Sequence, residues 1–111
     1  AIEQNLISID DFASVKLRTA RVVEAEKIKG ADKLLKLQIE IGGEKRQIVA
    51  GIALFYSPEE IVGKTIVVVS NLKPAKIRGI ESNGMLLAAK ADGKLKLITV
   101  DGDMPSGADV G

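Results

Sequence analysis

The chain has 111 residues, of which 46% are hydrophobic and 28% are charged, and its net charge is +1. A chain of this size and composition can bury a single core and is not expected to be disordered. It contains neither cysteine nor histidine, which excludes disulfide frameworks, thiolate zinc sites, thiol nucleophiles and histidine general bases. Hydrolytic and metal-dependent enzymes are therefore disfavoured, and we expect no cofactor.

The sequence contains no targeting or membrane-spanning segment by the usual criteria. No apolar run approaches the ~18 to 20 residues that a membrane helix requires, and residues 1–5 lack the basic start and apolar core of a signal peptide. No repeat, low-complexity tract or linker interrupts the chain. We expect residues 1–111 to form one domain of a cytoplasmic protein that does not bind a membrane.

Positive charge is concentrated in two stretches of the chain. Residues 12–46 contain nine Lys or Arg against five Asp or Glu, and residues 64–98 contain seven against two. Two such stretches can form one basic face for a polyanion. The alternative is ordinary solvated surface lysine, which charge alone does not exclude.

The first half of the chain is predicted to contain a helical turn and three strands. Ser8-Ile9-Asp10-Asp11 has the form of a capping box, and adjacent apolar Val22 and Val23 predict a bulge in a long curved first strand. Strict alternation of apolar residues predicts the second strand. In order, the expected elements are a turn after Ser8, a strand from Val15 past Val23, a turn over 29–32, a strand over Leu35–Ile41, a hairpin turn at Gly42-Gly43 and a strand over Arg46–Ala50.

The second half is predicted to contain a short helix followed by further strands. Ser57-Pro58-Glu59-Glu60 combines a capping Ser, a Pro at the first helical position and a Glu at the third. The remaining expected elements are a buried strand over Thr65–Ser70, a long loop or loose hairpin over Asn71–Asn83, a strand over Met85–Ala89, a short strand near Leu95–Ile98 and a turn at Pro105-Ser106-Gly107.

This order predicts an all-β fold: a five-stranded OB-fold barrel with a short helix between strands 3 and 4 and short terminal extensions. Another small barrel and an open α+β sheet are the alternatives that strand order leaves open. The OB-fold presents an open face and loops that bind oligonucleotides or oligosaccharides.

The segment Asn71–Met85 concentrates groups that suit an RNA backbone. Its cations can pair with phosphates, and its small polar side chains offer neutral donors and acceptors. These residues are Lys73, Lys76, Arg78, Asn71, Ser82 and Asn83. The alternative is an ordinary polar loop with turn glycines.

We find no catalytic or metal-binding motif. Gly79 and Gly84 have the spacing of a phosphate loop, but Met85-Leu86 stand where such a loop needs Lys and then Ser or Thr. Asp101-Gly102-Asp103 lacks the remaining ligands of a calcium loop. The prediction is a chain without catalytic residues or a metal site.

Aromatic residues are scarce, at 3% of the chain, and comprise Phe12, Phe55 and Tyr56. Proteins that bind single strands without sequence preference stack bases on several aromatic rings. If this chain binds nucleic acid, we expect contacts to phosphates and 2′-hydroxyls and recognition of the shape of a folded RNA.

Three segments of the sequence resemble a known family. NLKPAKIRGIESNGMLLAA (71–89) resembles the signature of the tRNA-binding domain found at the C-terminus of bacterial methionyl-tRNA synthetases and in free-standing small tRNA-binding proteins. DDFASVKLRTARVVEAEKIKGADKLLKL (10–37) resembles that family's first strand and its Ala-Asp-Lys-Leu turn, which contains Lys33, and RQIVAGI (46–52) resembles its third strand. The resemblance covers about residues 7–111. One departure is Ile28-Lys29-Gly30, where many relatives have His-Pro.

The resemblance implies an OB-fold, a symmetric homodimer that uses the terminal segments, and recognition of the outer corner of tRNA. Carried over by motif position, the RNA-binding candidates are Lys33, Arg46, Asn71, Lys73, Lys76, Arg78, Ser82 and Met85. For three of them a structural role is the alternative: Asn71 and Ser82 as hydrogen-bonding residues that hold the loop, and Met85 as a core residue.

The preferred hypothesis is a non-catalytic, dimeric tRNA-binding module attached to the catalytic portion of methionyl-tRNA synthetase in the same chain. The alternative is a free-standing tRNA-binding or chaperone-like protein-interaction dimer, which a large exposed apolar patch outside the dimer interface would favour. A small-molecule enzyme is the weakest hypothesis.

Overall fold

The structure, a computed structural model, describes residues 5–111, and most of its elements are short antiparallel strands. The first four residues, which enter the argument against a signal peptide, lie outside the described residues. The helices are α1 (Ile9–Ala13) and α2 (Pro58–Ile61). The strands are β1 (Leu17–Ile28), β2 (Ala31–Ile41), β3 (Glu44–Ala50), β4 (Thr65–Val69), β5 (Ala75–Ile77), β6 (Ile80–Ser82), β7 (Met85–Leu86), β8 (Ala88–Ala91), β9 (Lys94–Leu97) and β10 (Asp109–Val110).

Five strands follow one another as hydrogen-bonded neighbours in the order β3-β2-β1-β4-β7, and β10 pairs with the start of β1. Every pair in this path is antiparallel. The hairpins β5–β6 and β8–β9 form separate two-stranded sheets. In the described part of the chain no ladder joins the two ends of the path, β3 and β7.

The long first strand bends the sheet. Residues 17–21 of β1 pair with β4, and residues 21–28 pair with β2. The ladder with β2 shifts register between Val22 and Glu24, where the sequence predicted a bulge, because an extra residue on one strand increases its local twist and bend. One strand thereby belongs to both halves of a curled sheet.

The core fills the inside of this curl. The alternating apolar residues of β2 point inward and meet the apolar faces of β1, β3 and β4. The largest fully buried side chains are Val22, Leu35, Leu37, Ile39, Ile41, Ile48, Val49, Ile52, Ile61, Ile66 and Val68, with Thr19 among them.

Helix α2 is fixed by its cap and by one buried side chain. The Ser57 hydroxyl accepts from the Glu60 N–H, and the Glu60 carboxylate accepts from the Ser57 N–H. Ile61 is completely buried, which contributes roughly 1.5 to 3 kcal/mol. The chain then returns to β1, where the Gly63 N–H donates to the Val22 carbonyl at 2.8 Å.

The C-terminal segment is bound to β1 through Thr19. The Thr19 hydroxyl donates to the Pro105 carbonyl at 2.8 Å and accepts from the Ala108 N–H at 2.9 Å. Gly107 packs so closely that a Cβ on it would lie 2.7 Å from the Gly42 Cα. Only glycine fits there, so the tail holds the β2–β3 turn as well as β1.

The all-β prediction is confirmed, including the capped turn after Ser8 and the helix between the third and fourth strands. Several boundaries differ: β1 begins at Leu17 and not at Val15, β3 begins at Glu44 and not at Arg46, and β4 ends at Val69 and not at Ser70. Ala31 and Asp32 belong to β2 and not to the preceding turn. The predicted strand over residues 85–89 divides at Leu87, whose N–H donates to Val67 and whose carbonyl accepts from Ile98, because the chain changes partner from β4 to β9.

Candidate nucleic-acid interface

Lys33 and Arg78, which are far apart in the sequence, line the same open groove of about 450 Å³. The groove lies between the beginning of β2 and the tip of the β5–β6 hairpin. Its lining consists of Gly30, Ala31, Asp32, Lys33, Leu34 and Arg78. Both cations are exposed and available to an anion, and we call this feature the Lys33–Arg78 groove.

The β5–β6 turn places Arg78 at the tip of its hairpin. Arg78 has φ 56° and Gly79 has φ 79°, the two left-handed residues of a tight hairpin turn. Glycine, asparagine or aspartate usually occupy such positions. An arginine held there projects its charge from the tip of a short, tightly closed loop.

Ser82 anchors that hairpin to the main sheet. It is 3% exposed, and its hydroxyl accepts from the Val49 N–H at 3.0 Å and donates to the Gly84 carbonyl at 3.1 Å. Nearby, the Gln47 side chain donates to the Glu81 carbonyl at 2.8 Å. The hydroxyl is therefore committed to backbone groups, as in the structural alternative that the sequence left open.

Asn71 joins the loop after β4 to the segment that precedes β1. Its side-chain N–H donates to the Ser14 carbonyl at 2.7 Å, and its carbonyl oxygen accepts from the Lys16 N–H at 2.9 Å. Both ends of the amide are used inside the protein. Asn71 also takes the structural alternative and sets where the following loop departs from the sheet.

Arg46 is half-buried on β3 and has two partners. Its Nε donates to the Glu44 carboxylate at 2.6 Å, and an Nη donates to the Ser70 carbonyl. The hydrogen bond and charge of Arg46 hold the pKa of Glu44 below its usual value. Arg46 thus lies next to Asn71 in the chain's three-dimensional arrangement, in a cluster apart from Lys33.

The remaining candidates lie on either side of Ser82. Lys76 is exposed on β5 opposite Glu81, and Lys73 is exposed in the loop before it. Neither lysine forms an ion pair within residues 5–111. Met85 is half-buried on β7, where it pairs with Val69. Lys76 and Arg78 thus belong to the β5–β6 hairpin, and Lys33 lies across the groove from Arg78. Met85 stays within the main sheet.

The sequence assigned no role to two exposed apolar residues, Leu54 and Phe55, which are 64% and 43% exposed. Their turn is joined to the start of β2, because the Ala53 N–H donates to the Lys33 carbonyl at 3.0 Å. The adjacent Phe55-Tyr56 pair just before a helix cap was the available signal.

A family model, described as "Putative tRNA binding domain", matches residues 17–109. The chain belongs to this tRNA-binding domain family. The predicted membership of this family is confirmed. A tRNA-binding domain is a binding unit and not itself a catalyst, in agreement with the sequence prediction.

The tRNA-binding domain has relatives among methionine-tRNA ligases. This chain is 65% identical to the methionine-tRNA ligase of Thermotoga maritima over 108 residues, and the alignment covers 97% of this chain and 17% of the ligase. It is 57% identical over 101 residues to that of Bacillus subtilis, which covers 91% of this chain and 15% of the ligase. The chain thus spans about a sixth of the length of these relatives.

Solved structures of small proteins share the fold of this tRNA-binding domain. A MetRS-related protein from Pyrococcus horikoshii superposes with a TM-score of 0.90 at 44% identity, covering 96% of this chain and 99% of that one. The chaperone CsaA from Bacillus anthracis gives a TM-score of 0.88 at 27% identity, covering 96% of this chain and 100% of that one. The family's fold therefore occurs in whole proteins of similar size.

Residues 5–111 lack two further features. No helix in this part of the tRNA-binding domain has the length and apolarity needed to cross a bilayer. Across the same residues, no three or more Asp or Glu side chains are grouped so that they could hold a metal ion.

Proposed function

We propose that this chain is a dimeric tRNA-binding module that recognises the outer corner of folded tRNA by shape and phosphate contacts. The observation that carries the proposal is the Lys33–Arg78 groove, because it joins cations of the two basic stretches on one exposed surface. Arginine and lysine are the side chains that most often contact phosphate oxygens.

The proposal divides the eight candidate residues by what their side chains already bind. Exposed cations contact phosphates directly, half-buried groups border the RNA, and the two committed side chains position the loop. The exposed cations are Lys33, Lys73, Lys76 and Arg78. The half-buried groups are Arg46 and Met85, and the two side chains already bound to the protein are Asn71 and Ser82.

The relatives support a position at the C-terminus of methionyl-tRNA synthetase, where the module would raise the affinity of the catalytic portion for tRNA. The proposal treats residues 1–111 as one domain, which would work in the cytoplasm with the rest of protein synthesis. The strand path β3-β2-β1-β4-β7 supports an OB-fold barrel.

The test of RNA recognition is fluorescence anisotropy of the chain with a folded tRNA transcript and with an unstructured RNA of equal length, at near-physiological salt. We expect clear preference for the folded tRNA. Equal weak binding to both RNAs would reduce the interaction to non-specific charge attraction and refute recognition of shape.

A paired substitution tests the groove. In the variant Lys33→Gln/Arg78→Asn, we expect the slope of log affinity against log salt to flatten by about one unit or somewhat less for each phosphate that the variant no longer neutralises. The matched control, Lys90→Gln/Lys94→Gln, removes two exposed lysines from the β8–β9 hairpin. An equal change in both variants would contradict a role specific to the groove.

An apolar surface at the two ends of the chain supports the dimer. Ile9, Phe12 and Val15 are exposed beside Val110, and a second copy would cover them. Sedimentation should show that Ile9→Asp, at a position that is 78% exposed, shifts the chain to monomers, while the control Val62→Asp leaves the dimer intact. A monomeric wild-type chain would refute this part of the proposal.

The second candidate is a free-standing or chaperone-like dimer. It is favoured by structural neighbours that match over 99% and 100% of their length, one of them described as a chaperone. Suppression of aggregation of a denatured protein by the wild-type chain, with no preference for folded tRNA, would establish the chaperone-like form of this alternative.

A further inference from the structure

Phe55 and Tyr56 are adjacent in the sequence but occupy different environments. Tyr56 packs against the core, and its hydroxyl accepts from the Leu97 N–H at 3.2 Å. Phe55 is 43% exposed, next to Leu54 at 64%. The Phe55 N–H donates to the Ile52 carbonyl at 2.9 Å, so the exposed ring stands on a hydrogen-bonded turn.

This turn is joined to the Lys33–Arg78 groove by one hydrogen bond and lies close to it at one further point. The Ala53 N–H donates to the Lys33 carbonyl at 3.0 Å. At Gly51, an added Cβ would lie 4.0 Å from a terminal methyl of Leu34, one of the groove's lining residues. The exposed pair Leu54-Phe55 is therefore connected to the groove by residues 51–53.

The turn that carries the exposed Phe55 ring is hydrogen-bonded to the backbone of Lys33, one of the two exposed cations of the groove. An apolar ring on a turn joined to a cationic groove suits a nucleotide. A nucleobase presents an apolar π-face within a few ångströms of its own phosphates, and aromatic side chains stack on such faces. An apolar protein partner would place no anion against Lys33 and Arg78. The charges next to the turn thus favour RNA over protein as the occupant.

We propose that Phe55 stacks on an exposed base of the RNA whose phosphates contact Lys33 and Arg78, with Leu54 packing beside it. This inference rests on the proposed tRNA binding and adds a base contact to it. The scarcity of aromatic residues led us to expect contacts only to phosphates and 2′-hydroxyls and recognition of shape. The stacking of Phe55 adds a contact that this expectation did not include.

The first test separates stacking from charge. Phe55→Leu keeps an apolar side chain but removes the π-face, so affinity for a folded tRNA transcript should fall about fivefold or more. The slope of log affinity against log salt should not change, because every cation that neutralises a phosphate is retained. The control Val62→Ala, at another exposed apolar position, should bind as the wild-type chain does.

The second test reports the contact directly. The sequence contains no tryptophan, so Phe55→Trp introduces a single tryptophan that can still stack and whose emission can be excited selectively at wavelengths where Tyr56 does not absorb. Its emission should be quenched when folded tRNA is added, whereas the emission of Val62→Trp should not change. Equal thermal unfolding midpoints would show that both variants are folded.

The outcomes distinguish this inference from the proposed function. Loss of affinity in Phe55→Leu together with quenching in Phe55→Trp supports the base contact. Tight, shape-selective binding by the wild-type chain with unchanged affinity in Phe55→Leu overturns the inference and leaves tRNA binding in place. A wild-type chain without preference for folded tRNA overturns both.

Discussion

The two short hairpins, β5–β6 and β8–β9, have similar turns but different positions in the molecule. Arg78-Gly79 and Asp92-Gly93 form their turns, with φ values of 56° and 79° in one and 52° and 73° in the other. The second hairpin carries three lysines, Lys90, Lys94 and Lys96, yet only the first reaches Lys33. Position relative to other basic groups, and not the number of cations, distinguishes the two.

The hairpins are also anchored differently. The buried Ser82 hydroxyl on β6 accepts a hydrogen bond from the Val49 N–H on β3. The second hairpin instead buries Leu95 against the core and donates one hydrogen bond, from the Leu97 N–H to the hydroxyl of the partly buried Tyr56. The first anchor depends on exact polar pairing, whereas the second depends mainly on apolar contact.

The largest effect is expected from breaking the first anchor. Ser82→Ala leaves the Val49 N–H and the Gly84 carbonyl without their partner, which should lower the free energy of unfolding by about 1 to 3 kcal/mol. Urea denaturation measures this change. Thr99→Ala, which removes an exposed hydroxyl, is the control. Ser82→Ala should also weaken tRNA binding, and full retention of both properties would contradict the anchoring role.

The next largest effect is expected from removing one lysine charge from a strand of each hairpin. Lys76→Gln on β5 should flatten the salt dependence of tRNA affinity by about one unit or somewhat less. Lys96→Gln on β9 provides the comparison, and we expect its slope to match that of the wild-type chain. Anisotropy titrations at several salt concentrations measure both slopes. A larger change in Lys96→Gln would reverse the comparison between the hairpins.

A smaller effect is expected from the second anchor. Tyr56→Phe keeps the ring and removes the acceptor for the Leu97 N–H, so the free energy of unfolding should fall by about 0.5 to 1.5 kcal/mol. Affinity for tRNA should be unchanged, since the Tyr56 ring stays packed against the core and neither Phe55 nor a cation of the proposed contacts is altered. A loss of affinity as large as that of Ser82→Ala would show that both hairpins serve RNA binding.

Acid should produce the smallest effect, and it should act on α2 before either hairpin. Hydrogen bonds from Ser57 hold the pKa of Glu60 below its ordinary 4.5. This stabilisation is present above pH 4.5 and is lost as the pH falls through the lower pKa of the folded state. The protection factor of the Ile61 amide, which compares its exchange with that of an unstructured chain at the same pH, should fall in acid. Glu60→Gln, which can still cap the helix, should remove that dependence.

Sequence alone predicted the parts of this fold that depend on local pattern. The alternation in β2 and the capping groups at Ser8 and Ser57 fix elements within a few residues, so their prediction was confirmed. The division at Leu87 was not predicted, because it follows from a change of partner strand that no local pattern records.

The candidate site shows the same limit. The family signature indicated Lys33 and Arg78 separately, but their common groove exists only after β2 and the β5–β6 hairpin come together. The engagement of Arg46 with Ser70 likewise joins residues from different strands. Exposure of Phe55 and burial of Tyr56 could not be distinguished from composition, since both are aromatic.

The attachment of the tail to Thr19 determines when this chain can finish folding. The hydroxyl's two partners, Pro105 and Ala108, are 86 and 89 residues further along the chain. During synthesis, β1 leaves the ribosome before residues 105–108 and acquires those partners only when they have also emerged. Such long-range closure slows folding, and the native state of these residues must therefore form after translation of the segment is complete.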